Sequence, residues 1–154
     1  MQQATQNSRI IKAAPEKLYR ALTTPEALET WQAPGDMTGK VHSFDLREGG
    51  GYRMSLFYPL NETEMKGKTA QREDRFSVTF TELEPPHKII ETVTFETSDP
   101  QFSGEMTMEI TLDPVDEGTD VTFLFTNIPI GIKPEDNEAG TISSLEKLAQ
   151  YVED

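Results

Sequence analysis

The sequence contains no cysteine. Disulfides, thiol nucleophiles and cysteine-based zinc sites are therefore excluded. Histidine is scarce: the two present, His42 and His87, are far apart and show no metal-ligand spacing. Neither a metal nor a cofactor is expected, and both histidines read as surface residues. No apolar run approaches the ~20 residues that a membrane-spanning helix needs. The opening residues, MQQATQNSRI, hold no apolar core of a secretory signal. The expectation is a soluble, cytoplasmic protein with no membrane insertion.

Basic residues are nearly missing from the second half. Residues 76–154 carry 3 Lys/Arg against 17 Asp/Glu, whereas residues 1–75 carry 11 against 10. The formal net charge is −13. An acidic surface repels phosphate backbones and anionic membranes, so a nucleic-acid partner is not expected. The acid excess serves solubility, or forms a docking face for a basic partner.

Nucleophile signals are missing too. No serine lies in a Gly-x-Ser-x-Gly elbow. The adjacent acidic pairs Glu73-Asp74 and Asp116-Glu117 would point to opposite faces of a strand, so they do not read as acid/base dyads. The Glu-Gly-Gly-Gly stretch, Glu48 to Gly51, runs into a strand pattern and not a helix. It therefore reads as a tight turn or bulge rather than a phosphate loop.

The 154 residues form one expected domain, 1–154, with 1–7 as a flexible tail. A chain of this length buries roughly 68–70% of its unfolded surface. Asn7 to Ala13 reads as a first strand. Pro15 opens a short helix with Leu18, Ala21 and Leu22 on one face, and Thr24-Pro25 starts a second that ends at Trp31. Thr24 is the expected cap of that second helix. From Val41 onward the apolar period becomes two. Strands follow around Glu48–Gly51, from Phe76, after Pro85-Pro86, and as a hairpin around Asp113–Gly118. Residues 61–75 are polar and read as a loop or an exposed edge. Pro134 starts a long last helix, with Ile142, Leu145, Leu148, Ala149 and Val152 at helical spacing. Gly140 inside it implies a close neighbour or a kink. A strand, two short helices, a run of strands and a closing helix make an α+β fold.

The alternation gives the sheet one dry face: Met54, Phe76, Phe80, Phe95, Met106, Met108, Phe123 and Phe125, with Trp31 beside it. Aromatic and methionine side chains adapt to varied apolar guests. Periodicity alone does not distinguish a filled core from a hollow one.

The ordered segments RIIKAAPEKLYRALTTPEALETWQAP, FDLREGGGYRMSL, FTELEPPHKIIETVTF and GTDVTFLFTNIPIGIKPEDNEAGTISSLEKLAQYVE, from about Ser8 to Glu153, resemble the heat shock protein 90 ATPase activator-homologue-like family. That family belongs to the START-like, helix-grip (SRPBCC) superfamily. The resemblance implies a curved antiparallel sheet of about six to seven strands wrapped around the C-terminal helix, with the two short helices closing one end. It also implies a deep apolar cavity between them. Superfamily members bind lipids, sterols, hormones or polyketides there, and some are cyclases or hydrolases.

Carried over to this chain, the resemblance makes Trp31, Met54, Phe76, Phe80, Phe95, Met106, Met108, Phe123, Ile142 and Leu145 the ligand-binding residues for a small hydrophobic molecule. Thr141 stands where many relatives have an aromatic residue, which bears on the cavity's shape near the helix start. The eukaryotic activator has a large additional N-terminal domain that grips the chaperone. This chain starts its first strand near residue 8, and that domain is not expected here. Binding without catalysis is the leading expectation. A cavity enzyme is an alternative, with Arg53, Arg75 and Glu91 as its polar candidates. So is a chaperone-associated or stress-response protein that docks through its acidic half. Exposed sheet edges would allow a homodimer.

Overall fold

A computed structural model describes residues 3–33, 35–58 and 73–153. The polar segment expected as a loop lies mostly outside them; only its last residues, 73–75, are described. In chain order the elements are β1 (Gln3–Ile11), α1 (Pro15–Leu22), α2 (Pro25–Trp31), β2 (Thr38–Asp45), β3 (Gly51–Phe57), β4 (Glu73–Glu84), β5 (Lys88–Phe95), β6 (Glu105–Val115), β7 (Gly118–Ile128) and α3 (Pro134–Val152). The seven strands form one open antiparallel sheet in the order β1-β7-β6-β5-β4-β3-β2, and α3 packs on it. This is the α+β helix-grip arrangement.

Residues 3–7, expected within a flexible tail over 1–7, instead form the start of β1, which begins at Gln3. Asn7 opposes Phe123 and Thr5 opposes Phe125 of β7. The Thr5 hydroxyl donates to the Asn137 side-chain oxygen on α3, and Gln3 Nε2 donates to the carbonyls of Pro129 and Ile132 at 3.2 Å. A strand can be held by its backbone and by polar side chains, with no apolar alternation to announce it.

The short helices break at Thr23-Thr24-Pro25, as their spacing predicts, but Thr24 makes no side-chain cap. Its hydroxyl donates back to the Arg20 carbonyl at 2.6 Å, and Thr23 donates to the Tyr19 carbonyl at 2.7 Å. Both threonines thus satisfy carbonyls at the end of α1, where helix carbonyls lack partners.

The glycine turn joins β2 to β3. At Gly51 an added Cβ would lie 1.8 Å from the Val78 carbonyl oxygen. That atom is backbone in the paired β4 strand and has nowhere to go. We therefore expect Gly51→Ala to cost about 2–3 kcal/mol, the upper part of the range of about 1–3 kcal/mol for overpacking a tight site. A thermal melt should show a Tm lower by roughly 4–12 °C; an unchanged Tm would mean the β3–β4 pair shifts freely.

The sheet is open, but the helices close its gap. Its β1 edge lies against α3, its β2 edge lies against α2, and α2 lies against α3. Polar contacts fasten the last junction: the Ser144 hydroxyl donates to the Gln32 carbonyl at 2.9 Å, and Lys147 Nζ reaches the Ala33 and Gly35 carbonyls. The helix therefore meets the sheet at one edge and spans a hollow over the middle strands.

Candidate functional site

The dry face divides into a filled half and a hollow half. In the filled half Phe44 and Tyr52 stack with ring centroids 5.7 Å apart, and both pack on Phe80. Met54, Phe80, Ile89 and Leu112 are fully buried. Met54 and Phe80, expected as ligand-binding residues, belong to this solid part. Leu145 is likewise buried but does not line the hollow.

The hollow half is a cavity of about 220 Å³. Its strand walls are Leu56 of β3, Asp74 and Phe76 of β4, Glu91, Val93 and Phe95 of β5, Met106 and Met108 of β6, and Phe123 and Phe125 of β7. Trp31 at the end of α2 and Gln32 just after it close one side; Ile132, Asp136, Asn137, Gly140, Thr141 and Ser144 close it from the α3 side. Six of the ten residues expected to bind the ligand therefore meet here: Trp31, Phe76, Phe95, Met106, Met108 and Phe123.

Trp31 is held as a wall. Its indole N–H donates to the Ala21 carbonyl at 2.8 Å, and its ring centroid lies 6.3 Å from that of Phe123. Phe76 and Phe95 meet edge to face at 6.2 Å across the β4–β5 pair.

Ile142 is corrected. It is 54% exposed, and Thr141, one position earlier, takes the inward place. The buried side of α3 runs through Thr141, Ser144, Leu145, Leu148, Ala149 and Val152, and Ile142 falls at its margin. The Thr141 hydroxyl donates to the Asn137 carbonyl at 2.8 Å, so its polar end is satisfied within the helix. Gly140 lacks the expected close neighbour: no atom lies within 4 Å of an added Cβ, and the residue lines the cavity.

The polar candidates separate cleanly. Arg53 and Arg75 lie on the outer face of the sheet. Arg53 forms a forked pair with Glu96, its closest contact 2.8 Å, and Arg75 pairs with Glu73 at 3.1 Å. Glu91 points inward. In register it sits between Phe80 and Met108, and it is 3% exposed. Among the described residues it has no hydrogen-bond or ion-pair partner. Burial pushes its carboxyl up to about 8, because the ionised form loses its hydration. Tyr52 nearby is raised as well, by burial first and then by the Glu91 charge.

Asp74 also faces the cavity. It accepts from the Tyr58 hydroxyl at 3.0 Å, and the Tyr58 phenol is raised, chiefly by burial. Sequence reasoning missed Asp74, although it continues the alternation of Phe76, Val78 and Phe80 by one more step.

On the outer face His42 Nε2 lies 2.8 Å from Ser55 Oγ, which donates to Glu73 at 2.6 Å. The acid contacts the serine rather than the imidazole, so this is not a nucleophile triad. Glu73 is held below the usual carboxylate range, first by the Ser55 hydrogen bond. His87 lies exposed after Pro85-Pro86. Among the described residues, no group of three or more acidic or histidine side chains could hold a metal, and no helix is long and apolar enough to cross a membrane.

Comparison with known proteins agrees with this architecture. The profile of a family described as activator of Hsp90 ATPase homolog 1-like protein matches residues 12–153. The crystal structure of protein CV1439 from Chromobacterium violaceum is 32% identical and superposes with a TM-score of 0.86, over 98% of this chain and 97% of that one. The solution structure of an AHSA1-like protein from Aeromonas hydrophila has a TM-score of 0.73 at 18% identity, over 98% and 92% of the two chains. Protein NE0264 from Nitrosomonas europaea has a TM-score of 0.72 at 21% identity, over 97% and 93%. The last two likenesses concern the fold alone. No curated protein matches the chain.

Proposed function

The chain belongs to the activator of Hsp90 ATPase homolog 1-like protein family, and on that premise we propose that it binds a small apolar or amphipathic molecule in the cavity between sheet and α3. No chemistry is required of it. The observation that carries this reading is the hollow itself: an aromatic and methionine-lined space of about 220 Å³ where a solid core would have been more stable. That volume lies below the ~300 Å³ lower end of drug-sized pockets. A single-ring or short-chain guest of lipid, polyketide or aromatic type therefore suits it better than a sterol.

Trp31 is the only tryptophan and forms part of the wall, so its fluorescence reports occupancy. Titration with such guests should give a saturable change. Gly140→Leu should abolish it, because the added side chain enters the cavity. It should not harm folding, since leucine gains about 1 kcal/mol of helix propensity over glycine. Binding that survives this variant unchanged would place the guest elsewhere.

A cavity enzyme is the second reading, favoured by one observation. Glu91 is held near a neutral pKa inside the cavity, as a general acid or base would be. A product detected by mass spectrometry and lost in Glu91→Gln would establish it; a bound guest recovered unaltered would rule it out. Contact with a chaperone rests on the family's description and on the acidic second half of the chain, and not on the cavity.

A further inference from the structure

We propose that the cavity takes a hydrophobic organic cation, an amine whose ammonium group sits against Glu91 while its apolar body lies among the aromatic and methionine walls. This rests on the binding reading above and names the ligand class. Three observations converge on it.

The first is an unpartnered acid. Glu91 is almost wholly buried, faces the cavity, and has no hydrogen-bond or ion-pair partner among the described residues. A buried carboxyl without a partner is costly, and a donor brought by the ligand would relieve that cost. Asp74 differs, since the Tyr58 hydroxyl already donates to it.

The second is the sign of the surroundings. Among the described residues, the titratable and amide groups facing Glu91 and its cavity are Tyr52 from β3, Asp74 from β4, Gln32 just after α2, and Asp136 and Asn137 from α3. The described lining contains no lysine, arginine or histidine. Among the described residues a carboxylate guest would meet only acids and neutral groups, whereas an ammonium meets opposite charge.

The third is the wall chemistry. Trp31, Phe76 and Phe123 offer aromatic faces, and Met106 and Met108 offer polarizable sulfur. Aromatic faces attract cations, most strongly when water is excluded.

The proton balance is definite. At neutral pH Glu91 holds its proton, since burial raises its carboxyl to about 8. When an ammonium docks, Glu91 ionises and that proton passes to the buffer. The ligand keeps its own proton, and none of its covalent bonds changes.

The test uses three molecules of nearly equal shape: phenylbutylamine, phenylbutanol and phenylbutyrate. Each is titrated into the full chain by Trp31 fluorescence and by calorimetry in two buffers of different ionisation enthalpy. The amine should bind about tenfold or more tighter than the alcohol, a charge-assisted advantage. It should release close to one proton, and the butyrate should bind weakest. Glu91→Gln should reduce the amine to the level of the alcohol in the same variant. An alcohol that binds as well as the amine would overturn the inference and leave the cavity reading intact. So would an amine preference that persists in Glu91→Gln. If none of the three saturates, the cavity reading fails with it. The wild-type comparison needs no variant, so a misfolded Glu91→Gln would not rescue the proposal.

Discussion

Glu91→Gln should stabilise the protein, by little in acid and by much in mild base. In the unfolded chain the Glu91 carboxyl titrates near 4.5, and in the folded protein near 8, because burial disfavours its charge. Between those values the folded state holds a proton that the unfolded state has released. Stability therefore falls as pH rises through this window, by roughly 1.4 kcal/mol per pH unit. Above pH ~8 the whole penalty is present, on the order of 5 kcal/mol for a fully buried carboxylate. Glutamine does not titrate, so the variant escapes the penalty. Tyr52, Asp74 and Asp136 remain in both proteins, and subtracting one melting curve from the other isolates Glu91. Melts at pH ~5 and ~9 should show a Tm gap that widens with pH, reaching roughly 10–20 °C. A gap independent of pH would mean that Glu91 is solvated or paired in solution.

Trp31→Ala should be nearly as large in the opposite direction. The indole is fully buried, touches Phe123, and donates the hydrogen bond that ties the end of α2 to the Ala21 carbonyl of α1. Truncation removes that packing, leaves the carbonyl without its donor, and extends the existing cavity. Large-to-small changes of this kind cost about 3–5 kcal/mol. Circular dichroism should show a Tm lower by roughly 6–20 °C. Trp31→Phe keeps most of the ring contact and loses only the donor, so it should cost about 1–2 kcal/mol. If Trp31→Ala cost less than ~1 kcal/mol, the ring would be a loose gate and not a wall.

Much of the architecture was legible because each element has its own period. The switch from helical spacing around Leu18–Leu22 to alternation from Tyr52 onward marks where helices give way to strands. Pro15, Pro25 and Pro134 mark all three helix starts. The misreadings have physical reasons. Residues 3–7 carry no apolar alternation, since β1 is held there by backbone pairing and by Thr5 on Asn137. Ile142 satisfies the helical spacing, yet the inward face is set by where α3 meets β1 and α2, and Thr141 occupies it. Asp74 keeps the alternation of its strand, but as a charged residue it broke the apolar pattern by which the dry face was recognised.

By itself the sequence determined the elements, their order, the dry face of the sheet and the acidic balance. These depend on periods and composition, which are local. Only the tertiary structure decided which part of that face is filled. Phe44, Tyr52 and Phe80 close one half; Phe76, Phe95 and Met106 stand around a space in the other. The difference is a distance between layers. It arises because α3 rests on the β1 edge and on α2, and so bridges the middle strands without filling the gap beneath. The isolation of Glu91 has the same origin. The period of two turned it inward, but across that gap no partner faces it among the described residues.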